Sequence, residues 1–209
     1  ECTLLAGGPP CQGFSLQRRG EREDPRNAMV LQFVRMIEDI RPRFFLMENV
    51  GALFSKHGTP FLRELSLRAS RLGYVIHTSV LDAADFGVPQ IRRRAFLVGE
   101  RTSDLNHHFE FPIPIVGPKR TVRDAIGDLP SPPSDGSDHP RVANHYREAK
   151  LSPINLERIR HVPPGGGRDH LPAKLQLCCH VDNPSHRHKD VYGRLAWDKP
   201  SVTLTARFD

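Results

Sequence analysis

Short apolar runs and segments with a helical period alternate along the first 128 residues of the chain. Four short apolar runs bounded by turn residues predict strands: Thr3–Ala6, Phe44–Met47, Tyr74–Leu81 and Ala95–Val98. Helical periodicity predicts two helices, Ala28–Ile40 and Pro60–Leu72. The apolar positions that carry it are Met29, Phe33, Met36, Ile37 and Ile40 in the first helix, and Phe61, Leu62, Leu65, Ala69 and Leu72 in the second. This alternation of strands and helices predicts an α/β fold with a parallel sheet.

The pattern changes at Pro130. Residues 130–193 contain nine of the nineteen prolines and seven of the eleven histidines, with one clear helix candidate at Pro153–Arg160. Such a composition is typical of a loop-rich lobe, and ordered structure is expected to resume near Arg194. The sequence therefore predicts three parts, residues 1–129, 130–193 and 194–209.

Composition places the chain among soluble globular proteins, with 38% hydrophobic and 26% charged residues in 209. It has no apolar run of about 18 residues, so no transmembrane segment is predicted. The net charge of +6 favours a polyanionic partner such as nucleic acid, although a basic enzyme surface would give the same value. Four cysteines without the spacing of a disulfide framework indicate a reducing cytosol.

A rigid turn follows the first predicted strand. Its sequence, Gly7 to Pro10, combines two glycines with two prolines and leads directly to Cys11. Open α/β sheets bind ligands at the carboxyl ends of their strands, so this turn is expected to present Cys11 at a cleft. A single cysteine is more often a small buried apolar residue. Its position in this turn makes Cys11 a candidate nucleophile.

Two further groups of polar residues lie at the ends of predicted strands. A glutamate at a strand end is commonly only solvated, but Glu48 follows the buried-type run Phe44–Met47 and could face the site near Cys11. Gln90, Arg92 and Arg94 precede the last predicted strand and alternate along an extended segment. They form either a basic surface turn or a set of planar donors aimed at a base or a carboxylate.

These pieces resemble, in order, the signature blocks of the bacterial cytosine-C5 DNA methyltransferases. The family has a Pro-Cys-Gln loop, a Glu-Asn-Val block and a Gln-x-Arg-x-Arg block, and all three are intact here. Glu48 lies 37 positions after Cys11, and Gln90 lies 42 positions after Glu48, in keeping with the family layout. Three more segments resemble family blocks: Asp24–Met29, Val80–Pro89 and Arg194–Thr205. The resemblance covers the chain except for residues of about 130–190.

The resemblance implies the fold and the chemistry. The fold would be part of a Rossmann-like, S-adenosylmethionine-dependent methyltransferase sheet, with a small loop-rich target-recognition lobe. Cys11 would add to carbon 6 of a cytosine, which makes carbon 5 nucleophilic. Glu48 would bond the ring N3 and the exocyclic amine, Arg94 would bond the O2 oxygen, and Arg92 would brace the site.

The resemblance also implies a DNA-binding surface. The target base lies inside a duplex, so it must be flipped out. Residues 16–27 would form a loop over the DNA, although a mixed-charge solvated loop is the alternative. The residues expected to contact DNA are Gln12, Ser15, Arg18, Arg19 and Gln90. Residues of about 130–190 would read the major groove.

The cofactor would be S-adenosylmethionine, and Pro10 and Met29 match family positions that touch it. Two cofactor-binding blocks of the family are absent from this sequence: an early Phe-x-Gly-x-Gly loop with the acidic residues after it, and a late block containing Gly-Asn. The beginning at Glu1 reads as the middle of a strand. A fragment of a longer protein, inactive by itself, is therefore expected.

Double-stranded DNA is the expected partner, and a cognate restriction endonuclease is a second one that the family suggests. A monomer in the bacterial cytoplasm, acting on the chromosome, is expected. Cys178, Cys179 and His180, with His186 and His188, suggest zinc, but adjacent cysteines fit the usual ligand spacing poorly, so no metal is predicted.

Two other functions compete with a DNA methyltransferase. A tRNA cytosine-C5 methyltransferase uses the same chemistry, but its relatives continue after Cys-Gln with a Pro-Phe-Thr-like sequence, whereas Gly13-Phe14-Ser15 stands here. A non-catalytic DNA-binding remnant would have no need of the cysteine, glutamate and arginines together.

Overall fold

The computed structural model describes residues 1–10, 28–56, 58–102, 109–147, 151–181 and 192–204. The chain divides into two compact units. One unit comprises Glu1–Phe86 and Arg92–Val116, and the other comprises Gly87–Ile91 and Gly117–Asp209. The functional boundaries placed at residues 130 and 193 by the sequence pattern stay predictions.

The first unit is built on a four-stranded sheet. Its strands are β1 (Leu4–Gly7), β2 (Phe44–Val50), β3 (Tyr74–Asp82) and β4 (Arg93–Arg101), in the order β1-β2-β4-β3. All four predicted strands are confirmed, with ends that differ by at most three residues. β1 forms one edge of the sheet.

The sheet is mixed, so the prediction of a parallel sheet was wrong. β1 and β2 are parallel, but β4 lies between β2 and β3 and runs antiparallel to both. The physical reason lies in the connection between β3 and β4, which has ten residues, 83–92, and one short 3-10 turn. A parallel crossover needs a dozen or more residues and usually a helix, whereas a short connection returns the chain antiparallel.

Two helices cover one face of this sheet, α1 (Ala28–Ile40) and α2 (Thr59–Arg71), and both predicted helices are confirmed. α1 buries Val30, Phe33, Val34 and Ile37. The apolar stripe read from the sequence was offset, because Met29, Met36 and Ile40 are 41–46% exposed. The strands contribute alternate residues to the same core: Phe45, Met47, Ala95 and Leu97.

The opposite face of the sheet is also apolar. It carries a hollow of about 530 Å³, lined by Thr3, Leu4, Phe44, Leu46, Leu81, Phe96, Val98, Phe109, Phe111 and Pro112. Leu4 of the edge strand β1 is 53% exposed. Glu48 follows Phe44 and Leu46 at two-residue spacing, and Arg94 precedes Phe96 and Val98 in the same way, so both side chains lie on this face at one end of the sheet.

The second unit has little regular structure. Its helices are α3 (Val122–Ile126), α4 (Pro153–His161) and α5 (Cys178–Val181), and α4 confirms the helix predicted at Pro153–Arg160. Thr121 and Asp124 form a capping box at the start of α3, and the hydrogen bond from the Thr121 backbone is the main cause that lowers the pKa of Asp124. A small core contains Val162, Leu171 and Leu175. Among the described residues, no helix has the length and apolar character needed to cross a membrane.

Candidate active site

The turn that leads toward Cys11 is tied to the end of β2. After Gly7 the chain passes through Pro9, whose carbonyl accepts a hydrogen bond of 3.0 Å from the side-chain amide of Asn49. The other side-chain atom of that amide, Oδ1, accepts the backbone N–H of Val50 at 2.8 Å. Asn49 is 2% exposed, so both bonds lie in a protected environment, where a buried amide needs its partners. The backbone before Cys11 is thus held against the strand that carries Glu48.

Glu48 lies beside the same turn, on the sheet face opposite to Asn49. Its side chain is 40% exposed, so the carboxylate is open to solvent. A Cβ atom placed on Gly8 would lie 3.5 Å from the Oε2 atom of Glu48. The glycine therefore lets the turn approach the carboxylate closely, as expected for two strand ends that meet at one edge of a sheet.

Arg94 reaches Glu48 because β4 runs antiparallel to β2. Arg94 stands opposite Val50 in the ladder, so the beginning of β4 lies beside the end of β2. The Nε atom of Arg94 lies 2.9 Å from the Oε1 atom of Glu48, and its Nη1 atom donates to the carbonyl of Arg93 at 2.9 Å. The Arg94 side chain is 21% exposed.

This ion pair has a defined chemical capacity. It places a carboxylate acceptor beside a guanidinium donor, and both retain access to solvent. A planar ring that presents a donor and an acceptor along one edge could bond to both groups at once. Nucleobases belong to this class of ring, and the joint action of Glu48 and Arg94 on one stays a prediction.

Arg92 and Gln90 occupy the segment before β4. The Arg92 side chain is exposed, and it makes no hydrogen bond or ion pair with any residue that the structure describes. Gln90 belongs to the second unit, where it bridges to Ser201, and the neighbouring Ile91 N–H donates to the Ser201 carbonyl at 2.8 Å. A common face for Gln90, Arg92 and Arg94 stays a prediction.

Several predicted site residues lie outside the described part of the chain. They are the nucleophile candidate Cys11 and the four DNA-contact candidates Gln12, Ser15, Arg18 and Arg19. His186 and His188 lie outside it as well. Within the described residues, no group of three or more histidine, cysteine, aspartate or glutamate side chains could hold a metal ion.

The two residues expected to touch S-adenosylmethionine are accessible. Pro10 is exposed at the end of the turn, and Met29 is 45% exposed in the first turn of α1. Their surfaces fit the apolar part of such a cofactor. Their side chains offer no polar group to the ribose hydroxyls or the carboxylate of the cofactor, so these two residues account for only its apolar contacts.

Asn49 is a site residue to which the sequence pattern assigned no role. A signal for it was available, since Asn49 follows Phe45 and Met47 on the buried side of the alternating strand. A polar residue at a buried strand position requires hydrogen-bond partners. The sequence could not show that the partner is Pro9.

Comparison with known families identifies the chain. The family model described as C-5 cytosine-specific DNA methylase matches residues 1–163, which is well over half of the sequence. The chain belongs to this family. The resemblance to the family is thereby confirmed, and both Glu48 and Arg94 lie within the matched residues.

Curated relatives agree with the assignment. The Type II methyltransferase M1.HphI of Haemophilus parahaemolyticus is 36% identical over 205 residues, covering 97% of this chain and 52% of that relative. The Type II methylase M.HgiDII of Herpetosiphon aurantiacus is 31% identical and the Type II methyltransferase M1.BsuMI of Bacillus subtilis is 35% identical, each over 98% of this chain. The chain spans 56% of the former and 46% of the latter, about half the length of these relatives.

A solved structure confirms the fold. A DNA modification methyltransferase encoded within an E. coli prophage aligns with a TM-score of 0.60 and 24% identity, covering 96% of this chain and 62% of that one. The α/β fold and its partial, methyltransferase-like sheet are therefore shown, with the strand directions described above.

Proposed function

We propose that the protein containing this chain transfers a methyl group from S-adenosylmethionine to carbon 5 of a cytosine flipped out of duplex DNA. The observation that carries the proposal is the contact between Glu48 and Arg94, 2.9 Å apart, beside the turn that leads to Cys11. Membership of the C-5 cytosine-specific DNA methylase family supports the reaction class. The names of the Type II relatives support a DNA substrate and a cognate restriction endonuclease.

The reaction requires activation of the base, because carbon 5 of cytosine is not nucleophilic enough to attack a methyl sulfonium. The Cys11 thiolate would add to carbon 6 and give an enamine. Carbon 5 of the enamine would take the methyl group as the bond between the methyl carbon and the sulfonium sulfur breaks, with S-adenosylhomocysteine as the leaving group. S-adenosylmethionine, when bound, supplies the electrophilic methyl group. A base such as water then removes the proton from carbon 5, and the Cys11 thiolate leaves carbon 6, which restores the ring.

Glu48 and Arg94 stabilise the ring during thiolate addition. Glu48 bonds N3 and the exocyclic amine and supports protonation at N3, while Arg94 bonds O2. The contact between the two side chains holds them in a fixed relative position, which favours a planar ring over a flexible ligand. Arg92, whose exposed guanidinium has no partner among the described residues, would brace the arrangement only once the base is bound. Pro10 and Met29 hold the apolar part of the cofactor.

The remaining parts of the chain bind DNA in this proposal. Gln12, Ser15, Arg18 and Arg19 contact the duplex from the loop after Cys11, and Gln90 contacts it from the segment before β4. Phosphate contacts position a protein on DNA, whereas contacts in the major groove give specificity. We assign specificity to residues 130–193, and the site of action to the bacterial chromosome.

Cys11→Ala tests the proposal in the full-length protein. This variant should lose methyl transfer to DNA and covalent trapping by DNA containing 5-fluorocytosine, because trapping needs the thiolate. Cys2→Ala is the matched control, since Cys2 is a free cysteine before β1, outside the catalytic blocks and the recognition region, and it should keep both activities. Covalent trapping that survives in Cys11→Ala would refute the proposal. Methylation of tRNA in place of DNA by the unmodified protein would show that the substrate is RNA.

A further inference from the structure

Asp82, the last residue of β3, binds the backbone at the entrance to β4. Its Oδ1 atom accepts the N–H of Arg92 at 3.0 Å and the N–H of Ala84 at 3.2 Å. The Arg92 carbonyl in turn accepts the N–H of Ala83 at 3.1 Å. Both backbone groups of Arg92 are therefore held from the β3 side, and the connection between the two strands is closed at its base.

The residues at the start of β4 do not by themselves fix the register of the strand. Residues 92, 93 and 94 are all arginine, so at this end of the strand the side chains do not distinguish one register from the next. A shift of one residue would turn each side chain to the other face of the sheet. Arg94 would then leave the face of Glu48, and Arg93 would replace it.

We infer that Asp82 is a positioning residue of the methyltransferase, which fixes the register of the arginine block so that Arg94 meets Glu48. The inference rests on the proposed function, because it gives Asp82 a role in catalysis only through Arg94. Asp82 does this as a hydrogen-bond acceptor. The ladder pairs Asp82 with Arg93 and Leu81 with Arg94. The Arg92 N–H that the carboxylate holds therefore lies two residues before Arg94, whose side chain pairs with Glu48.

The test compares Asp82→Ala, Asp82→Asn and Asp82→Glu in the full-length protein. Asparagine keeps an oxygen that can accept both N–H groups but lacks the charge, whereas glutamate keeps the charge but moves the carboxylate by one methylene. Asp124→Ala is the matched control, because Asp124 also accepts hydrogen bonds at the end of an element, but at α3 in the second unit. The rate of single-turnover methyl transfer, the KM for DNA and the melting temperature are measured for each variant.

Asp82→Ala and Asp82→Glu should lower kcat by about 10- to 100-fold with little change in the KM for DNA, since a misplacement near 1 Å can cost about 100-fold. Asp82→Asn should recover most of the rate, and Asp124→Ala should retain it. If Asp82→Ala does not fold, the contrast between asparagine and glutamate decides. A rate for asparagine as low as that for glutamate would overturn the inference, because a hydrogen-bond acceptor at this position would then not be enough to restore the rate.

A double variant separates positioning from general destabilisation. In the Arg94→Ala background, Asp82→Ala should cause little further loss, because the residue through which it acts is absent. Losses that multiply would overturn the inference. An unchanged rate in Arg94→Ala alone would refute the proposed function of Arg94 itself, whereas a low rate in Arg94→Ala with a normal rate in Asp82→Ala would refute only the role of Asp82.

Discussion

Glu48→Gln in the full-length protein should slow the chemical step by about 100-fold or more while leaving the fold intact. Glutamine has nearly the same shape as glutamate and can still accept a hydrogen bond from Arg94. It cannot carry the proton that the proposed reaction needs at N3 of the cytosine. The substitution therefore separates a catalytic carboxylate from one that only pairs with an arginine.

The structure sets an upper limit on what the ion pair contributes to stability. Two unit charges about 4 Å apart interact by about 1 kcal/mol in water and by about 4 kcal/mol at an effective dielectric constant of 20. The Glu48 side chain is 40% exposed, so water screens the pair, and exposed pairs contribute about 0.2–1 kcal/mol. For a domain of this size, 1 kcal/mol lowers the melting temperature by about 2–4 °C. A 100-fold loss of rate corresponds to about 2.7 kcal/mol, so catalysis and stability give separable results.

The assay measures methyl transfer to duplex DNA in a single turnover, together with the melting temperature. Glu64→Gln on α2 is the matched control, because Glu64 pairs with Arg68 at the same distance of 2.9 Å and its side chain is 46% exposed. The control should lose similar stability and keep the full rate. A Glu48→Gln rate within a few-fold of the unmodified protein would refute the catalytic role, and equal rate losses in both variants would point to destabilisation.

Three further predictions concern specificity, cofactor binding and packing. Exchanging residues 130–193 for those of a relative should change the methylated sequence, read by bisulfite sequencing, and an unchanged sequence would place recognition elsewhere. The 209-residue chain alone should bind S-adenosylmethionine with a Kd above about 1 mM in calorimetric titration, because the Phe-x-Gly-x-Gly loop and the Gly-Asn block expected to bind it are not among these residues. Micromolar binding would contradict this. Gly99→Ala should destabilise the fold by about 1–3 kcal/mol in thermal melting, because an added methyl collides with the buried Phe45 ring. Gly51→Ala, which meets nothing within 4 Å, is its control, and equal stability of the two variants would contradict the prediction.

Local pattern was sufficient to predict the elements of the first unit. The helix at Ala28–Ile40 and all four strands agree with the structure, because apolar periodicity depends on which positions face a core, and neighbouring residues reveal it. The signature blocks around Cys11, Glu48 and Gln90 were also sufficient for the family, since motif order needs no knowledge of the fold. The sequence determined the buried face of α1 less well. Apolar residues lie on several sides of this helix, and only packing decides that residues such as Met29 and Met36 stay exposed.

The direction of β4 was decided only by the tertiary structure, and the candidate site depends on it. A strand has the same alternating pattern whether it runs parallel or antiparallel to its neighbour, so the sequence of β4 does not state its direction. In a parallel sheet, Arg94 would begin its strand at the edge remote from the end of β2. The short return from β3 reverses the strand and brings Arg94 to Glu48. The sequence also could not show the hydrogen bonds that Asn49 and Asp82 make to backbone atoms. Pro9 comes close to Asn49, and Arg92 to Asp82, only when the chain folds.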